Sequence, residues 1–454
     1  MENMENRGVE TEERRAQTPP AFPQKKKSGA GHWIVTAVIA VCAFGGGILA
    51  NHFALDKEMR TLLNVKKHIQ DSYYQEVTNE EFYRVLFDAV NNELLDPYSE
   101  YMTAKEFAQT KATAKGEQSG LGLVLVTQDE NGREQMLIDR VCGNSPAEEA
   151  GVLEGEKIVA FGKSETELTT SEKFDDFSAF LGNLQTGENF FIQIENGSTS
   201  RVVNLSKENY IESYVFYRTS DKSYGFSGLN ADETTEKGAP LPALDTDTAY
   251  IRLTQFNGGA AEQFGKAMEL FKSQNKRDLV LDLRGNGGGY MDILQEIASY
   301  FCKSSNEKKP VIVVADYGDK TESFQASGNY YHEYFKTDSK IYVLADENTA
   351  SASECLIGCM YDYGAIDYEN VCLFGNADEA KTFGKGIMQS TFTLGLFSGD
   401  ALKLTTAKIY WPKSNHSIHG IGVTTLDGAK CVPKNPVKEE EIHAALAVLF
   451  NEMG

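Results

Sequence analysis

The chain has 454 residues, with 66 acidic side chains against 44 basic ones and a formal net charge of -22. That length exceeds one ordinary core and predicts two or three folding units. So acidic a chain leaves no basic face to neutralise phosphates and argues against a nucleic-acid partner, while seven cysteines without a CxxC pair give no sign of a zinc or redox centre.

Residues 1–31 are polar, contain Pro19, Pro20 and Pro23, and carry the basic run Lys25-Lys26-Lys27, a composition that predicts disorder. No charge then interrupts the chain before Asp56, and residues 32–54 are long and apolar enough for a transmembrane signal-anchor helix. The lysines would keep its amino-terminal side in the cytoplasm and everything after Asp56 outside. A cleaved signal peptide is the rival reading, but the apolar run is long for one. From Lys57 to about Ala114 the apolar residues Met59, Leu62, Leu63, Val65 and Ile69, then Phe82, Leu86 and Val90, recur at helical steps, with a break at Pro97 inside LDPYSEYMTAKEF. From Gly116 the pattern changes to short alternating runs, LGLVLV, QMLIDRV, EKIVAFG, ENFFIQIE and SRVVNLS, separated by Gly and Asn turns. Within them SPAEEAG predicts a short helix capped by Ser145 with Pro146 in its first turn, and a second helix is expected over Thr170 to Leu181. Small strands with two helices describe a compact binding module. From Tyr210 onward strands and helices alternate: AYIRLTQF, a helix from Ala260 to Ser273, DLVLDLR, a helix from Met291 to Phe301, PVIVVAD, KIYVLAD and a helix after Ser351. This rhythm predicts a parallel or mixed sheet covered by helices, with ligand sites at the carboxyl ends of its strands.

Two segments stand at such strand ends. In LVLDLRGNGGGYMDIL, Leu279 to Leu294, a buried strand runs into Gly285, Gly287, Gly288 and Gly289. Tyr290 stands where a dinucleotide fingerprint needs its third glycine, and no Lys-Ser or Lys-Thr follows for a P-loop. The turn reads either as a tight connection or as backbone donors for an oxyanion. ENTASASECLIGCMYDYG, Glu347 to Gly364, brings the hydroxyls of Thr349, Ser351, Ser353 and Tyr361 to the second strand end. Either serine alone could be an ordinary helix cap. Paired with the glycine turn, the segment offers the nucleophile and the oxyanion site that acyl transfer needs. No histidine lies near it in sequence, but a lysine serves as base once burial strips the water that stabilises its ammonium. TFGKGIMQS, Thr382 to Ser390, supplies Lys385 between two glycines and Gln389 four residues on to orient the amine. Elsewhere, HSIH (His416 to His419) lacks a completing carboxylate and reads as a surface turn. NYYHEYF (Asn329 to Phe335) reads equally as groove lining or core. Cys355 and Cys359 read as two small buried side chains on one helix face, and a disulfide among Cys142, Cys302, Cys372 and Cys431 stays open.

TASASE followed by DYG, with DLRGNGG upstream and FGKGIMQ downstream, resembles the C-terminal processing peptidases, also called tail-specific proteases. LDPYSEYMT, SGLGLVL, GNSPAEEAGVLEGEKIVAFGK and LKLTTAKIYWPKSNHSIHGIGV add to the likeness, in the family's order, from about Lys57 to the last helix. The resemblance implies an α/β and α+β multidomain protein: a cytoplasmic tail (1–31), a signal-anchor (32–54), a helical cap (55–114), a PDZ domain (115–207) and a mixed-sheet, crotonase/Clp-like serine peptidase core (208–454). It implies Ser351 as nucleophile, Lys385 as general base and Gln389 as the residue that orients it, a Ser-Lys variant of triad logic. The implied oxyanion donors are the N–H groups of Gly288 and Ala352, and Asp362 is structural or supporting. Leu121, Gly122 and Leu123 would offer backbone N–H groups to the carboxylate of a bound tail. Also implied are protein or peptide substrates with exposed apolar C-termini, no metal or organic cofactor, a homodimer, and a single-pass location in the cell membrane with the catalytic part extracytoplasmic. The last helix, IHAALAVLF, would be a dimer contact or a packed end. The chain departs from the family at Gly287, where proline is usual, at Thr424 and Thr425, which replace Pro-Asp, and in DYENVCLFGNADEAK, a longer stretch expected to modify the rim of the site. The alternative from another class is a catalytically silent, membrane-tethered PDZ adaptor, against which Ser351, Lys385 and Gln389 together count.

Overall fold

The computed structural model describes residues 56–130, 133–227, 230–232, 241–376, 380–395, 398–434 and 438–450, so the expected tail and membrane span lie outside the described residues. Among the described residues no helix is long and apolar enough to cross a membrane. The chain divides into two units, Met1–Asp88 and Ala89–Gly454. In the first, helix α1 (Lys57–Ser72) starts where the Asp56 carboxylate accepts the Met59 N–H at 2.7 Å, which satisfies one of the free amides of the first turn. Helix α2 (Asn79–Ala89) follows, and Lys66 of α1 places its ammonium 4.2 Å from the centroid of the Tyr83 ring.

The second unit departs at once from the helical expectation. After Pro97 the chain forms a strand, β1 (Glu100–Met102), antiparallel to Ala401–Lys403, before helix α3 (Ala104–Ala114) begins at a capping box of Thr103 and Glu106. The partner strand is some three hundred residues away in sequence, so no local periodicity could announce the pairing.

A six-stranded antiparallel sheet comes next: β2 (Leu123–Glu130), β3 (Arg133–Val141), β4 (Lys157–Ser164), β5 (Glu167–Thr170), β6 (Asn189–Asn196) and β7 (Thr199–Ser206), in the order β2-β3-β4-β6-β7 with β5 along β4. Alternation along β6 buries Phe190, Ile192 and Ile194, which pack with Met136, Ile138, Ile158 and Phe177 into a core of their own. Helices α4 (Pro146–Glu149) and α5 (Phe174–Gly182) accompany the sheet. Helix α5 starts later than expected because residues 167–170 are claimed by β5.

Apart from a short antiparallel pair, Glu117–Gly120 with Glu208–Ile211, the other strands are β8 (Val215–Arg218), β9 (Ser223–Ser227), β10 (Asn230–Asp232), β11 (Thr248–Leu253), β12 (Asp278–Asp282), β13 (Val311–Asp316), β14 (Thr321–Gln325), β15 (Ile341–Asp346), β16 (Val371–Phe374), β17 (Ile387–Thr393), β18 (Ala401–Tyr410) and β19 (Lys430–Val432). Eight form one sheet in the order β10-β9-β8-β11-β12-β15-β16-β19, antiparallel up to β11 and parallel from there on. Every residue of β12 is buried, as expected of a parallel strand covered on both faces. Helix α6 (Ala260–Ser273) packs on β8 and β11 of this sheet with Ala260, Phe264, Ala267, Met268 and Phe271, the apolar stripe that the sequence periodicity requires. Helices α7 (Met291–Ala298) and α8 (Ala352–Asp362) each follow a strand end.

Two expectations are corrected here. PVIVVAD does not join the parallel sheet: β13 belongs to a second, antiparallel sheet, between β14 and β18, with β17 and β1 also on β18. From Val313 to Asp316 its burial alternates where that of β12 does not, the pattern of a strand with one covered face. VCLF of the long insertion is β16, fully buried between β15 and β19, so this part of the insertion widens the sheet instead of trimming a rim. The last helix, α9 (Lys438–Leu449), sets Ile442, Ala445, Leu446 and Leu449 against Tyr250, Val280 and Tyr342, a packed end. Tyr331 and Phe335 of the tyrosine cluster are core residues.

Candidate active site

Strands β12 and β15 are parallel neighbours, with Asp282 opposite Leu344, so the glycine turn and the serine turn leave the sheet side by side. Four hydrogen bonds join the two turns: Gly285 N–H to Asp346 at 3.0 Å, the Thr349 hydroxyl to the Leu283 carbonyl at 2.9 Å, Ala350 N–H to the Asn286 carbonyl at 2.9 Å, and the Ser353 hydroxyl to that same carbonyl at 3.0 Å. Asn286 is fully buried and holds the far side by donating its amide to the Leu253 carbonyl at 2.8 Å. The hydroxyls of Thr349 and Ser353 are therefore buried and consumed, and Tyr361 packs its ring 4.4 Å from that of Tyr368. Ser351 is left half-buried on a sharp elbow at the amino end of α8, with φ 57° and ψ -114°. Positive φ is costly for a residue with a side chain and persists where the surroundings impose it.

The imposing group is Glu354, which the sequence reasoning passed over. Its carboxylate is fully buried and accepts from Ser351 N–H at 2.9 Å, Lys385 N–H at 2.9 Å, Gly384 N–H at 2.7 Å and the Thr382 hydroxyl at 2.5 Å. One side chain thus ties the serine elbow to the lysine loop. Burial raises its pKa even though all four donors pull the other way. The only signal in the sequence was its place three residues after the serine, in the first turn of the helix.

Burial and the nearby Lys403 ammonium lower the pKa of Lys385, against the opposing pull of Asp96 and Glu354. Its Nζ lies 4.7 Å from the centroid of the Tyr98 ring, and the structure records no hydrogen bond from it to the Ser351 hydroxyl. Among the described residues Gln389 makes no hydrogen bond to the amine: its Nε2 donates to Thr405 Oγ1 at 3.2 Å, and that hydroxyl in turn donates to Asp96 at 3.3 Å. Asp96 and Tyr98 belong to LDPYSEYMT, which β1 anchors on the second sheet; with Asp316, Tyr317, Ile387 and Thr405 they line a cleft of about 580 Å³. Gly288 packs so tightly on the elbow that a Cβ there would sit 2.8 Å from both Ser351 Cβ and Ala352 N. Its N–H donates to Asn286 Oδ1 at 2.9 Å, whereas the Ala352 N–H donates to no acceptor among the described residues. Asp362 accepts from Lys413 and Ser414 N–H and caps a turn, and the His416 ring rests 4.8 Å from that of Trp411. Among the described residues no group of three or more side chains could hold a metal ion.

In the six-stranded module Leu121 and Gly122 are buried just before β2. Their carbonyls accept from Ala147 and Cys142 N–H, but their own N–H groups find no acceptor among the described residues. Beside them lies an apolar groove of about 410 Å³ lined by Leu121, Leu123, Leu125, Phe177 and Leu181, with Lys207 also on its wall.

A serine on a strained elbow at a strand end, beside backbone donors and a half-buried lysine, is the equipment of a serine-type peptidase, and the comparisons agree. Residues 247–425 match the model of peptidase family S41, and the chain resembles the C-terminal processing peptidases of that family. It is 27% identical over 397 residues to the "Probable CtpA-like serine protease" of Staphylococcus saprophyticus, covering 86% of this chain and 70% of that one. A protein of the same description from Staphylococcus aureus is 27% identical over 410 residues, covering 88% of this chain and 72% of that one. The crystal structure of the "Putative S41 protease" from Bacteroides fragilis superposes with a TM-score of 0.50 at 18% identity, over 84% of this chain and 92% of that one, a likeness of fold alone.

Proposed function

We propose that this peptidase cleaves protein substrates after its six-stranded module, read as a PDZ domain, grips their apolar C-terminal tails, and that Ser351 and Lys385 form the catalytic dyad. Residues 32–54 would hold it in the cell membrane with the peptidase outside, and membrane fractionation of the full-length chain tests that part. The observation that carries the catalytic reading is the Glu354 carboxylate, which accepts from the backbones of both Ser351 and Lys385. In the reaction the neutral Lys385 amine takes the Ser351 proton as Oγ attacks the acyl carbon, then passes it to the leaving amine. The Ala352 N–H, joined by that of Gly288, stabilises the oxyanion, and water attacks the acyl-enzyme by the reverse route. Before this, Lys385 must leave Tyr98 and the Gly288 N–H must leave Asn286. Incubation with casein beside a Ser351→Ala control separates the peptidase from a silent adaptor, which would cut nothing in either form.

Because only the neutral amine is a base, kcat/KM is expected to rise with pH through the lowered pKa of Lys385. Replacing Lys403 by methionine removes a cation that disfavours the ammonium, so the rising limb is expected to move to higher pH. A limb that stays in place would remove Lys385 from the role of base.

What supports the tail-binding reading is the pair of buried N–H groups at Leu121 and Gly122 without acceptors, next to an apolar groove. Gly122 itself makes a poor handle, since any Cβ there would lie 2.1 Å from Ser145 Cβ and distort the loop. Leu181→Glu instead sets a carboxylate in the groove. It is expected to raise KM for an apolar-tailed protein about 10- to 100-fold, the range of losing a buried apolar anchor and opposing a like charge, while a short untailed peptide is cut as before. Equal KM for both substrates in the variant and its parent would rule the groove out as the tail site.

A further inference from the structure

Six cysteines lie among the described residues, all as free thiols, and five of them are buried. Two meet: Cys302 Sγ and Cys359 Sγ are 2.8 Å apart, each with no exposed surface. That is only about 0.8 Å beyond the ~2.0 Å of an S–S bond. Neither partner is Cys355, the neighbour that the helical spacing of Cys359 suggests. Cys302 follows the last turn of α7, where its N–H donates to the Ala298 carbonyl at 3.2 Å, and Cys359 lies two turns into α8. The amino ends of these helices carry the site itself, α7 directly after the glycine turn and α8 directly after Ser351. The sulfurs meet at their other ends, inside the main core with Phe301, Ile312 and Met360.

We propose that Cys302 and Cys359 are a disulfide-forming pair, a modification site that clamps the two helices bearing the catalytic turns. The oxidant class is a disulfide, small or protein-borne, acting by exchange. One thiolate of the pair attacks a sulfur of that disulfide, forming a mixed disulfide and releasing the first oxidant thiolate. The other attacks the sulfur of its partner and releases the second. Two electrons and two protons pass to the oxidant, which leaves as two thiols, and one S–S bond replaces another. Burial raises the pKa of Cys359 far above that of a free thiol, so exchange belongs to folding, before the core closes. Once formed, the bond is shielded from reductants by the same packing.

The test refolds the full-length chain from denaturant, once in reduced and oxidised glutathione and once in excess reductant, then alkylates both samples in denaturant without reduction and maps the peptides. In the first sample we expect one cross-linked pair containing Cys302 and Cys359, and Cys355 alkylated. The thermal midpoint of the second sample should lie on the order of 5–10 °C below the first, a difference absent from the Cys302→Ala/Cys359→Ala double variant. Alkylation of both cysteines after oxidative refolding would overturn the proposal, and so would a cross-link between Cys302 and Cys355. Should the double variant fail to fold, the peptide map of the unaltered chain decides alone.

Discussion

Replacing Ser351 by alanine is expected to abolish casein hydrolysis, a fall in kcat on the order of a million-fold where nucleophile and base act as one unit. Lys385→Ala should cost as much, and the double variant no more than either, because what is lost is a single proton-coupled attack. Both side chains are only half-buried, so the thermal midpoint should hardly move. Ser353 makes the contrast. Its hydroxyl is fully buried and spent on the Asn286 carbonyl, so Ser353→Ala removes one hydrogen bond worth about 1 kcal/mol and leaves turnover largely intact. A dead Ser353→Ala beside an active Ser351→Ala would reverse the assignment of the nucleophile.

Glu354→Ala is expected to damage folding itself. It strands the N–H groups of Ser351, Gly384 and Lys385 and the Thr382 hydroxyl at once, at a cost of about 3–5 kcal/mol, and the elbow loses the group that holds it. Glu354→Gln keeps the shape and an acceptor oxygen, and should fall between. The pH dependence has a definite sign. Burial raises the Glu354 pKa in the folded state, so the folded chain binds this proton more tightly than the unfolded chain does. Stability from this group is present in full below the ordinary carboxylate pKa and is lost as pH rises through the folded value. Urea titrations run upward from the ordinary carboxylate range should show this component in the parent and not in Glu354→Gln. An alanine variant within about 1 kcal/mol of the parent would show that the two loops are held some other way.

The sequence made legible whatever its neighbours in the chain decide. Helix α6 runs from Ala260 to Ser273 as its apolar stripe requires, and the serine and glycine turns both fall at strand ends because glycine and small polar residues punctuate the runs before them. Sheet membership was not legible, since β13 has the composition of a parallel strand and only its partners reveal otherwise. Glu354 escaped for a related reason. An acidic residue in a first helical turn is ordinary, and its true partners, Thr382, Gly384 and Lys385, lie about thirty residues on. Tyr98 and Asp96 reach the lysine only because β1 pairs with β18, and Cys302 meets Cys359 across 57 residues that no spacing rule spans.

The proposed nucleophile and base stand on different sheets. Ser351 leaves the parallel sheet at β15, whereas Lys385 enters the antiparallel one at β17, and Glu354 accepts from both backbones at the seam. Each sheet has its own ladder, but the two share one core, in which Ile312, Val313 and Ile409 pack with Leu281, Leu356 and Met360. A misplacement of about 1 Å between reacting groups is enough to cost on the order of a hundredfold in rate. Turnover is therefore a gauge of how firmly the shared core fixes the spacing of the two sheets, and it should fade on heating or in mild denaturant before the spectra of either sheet change.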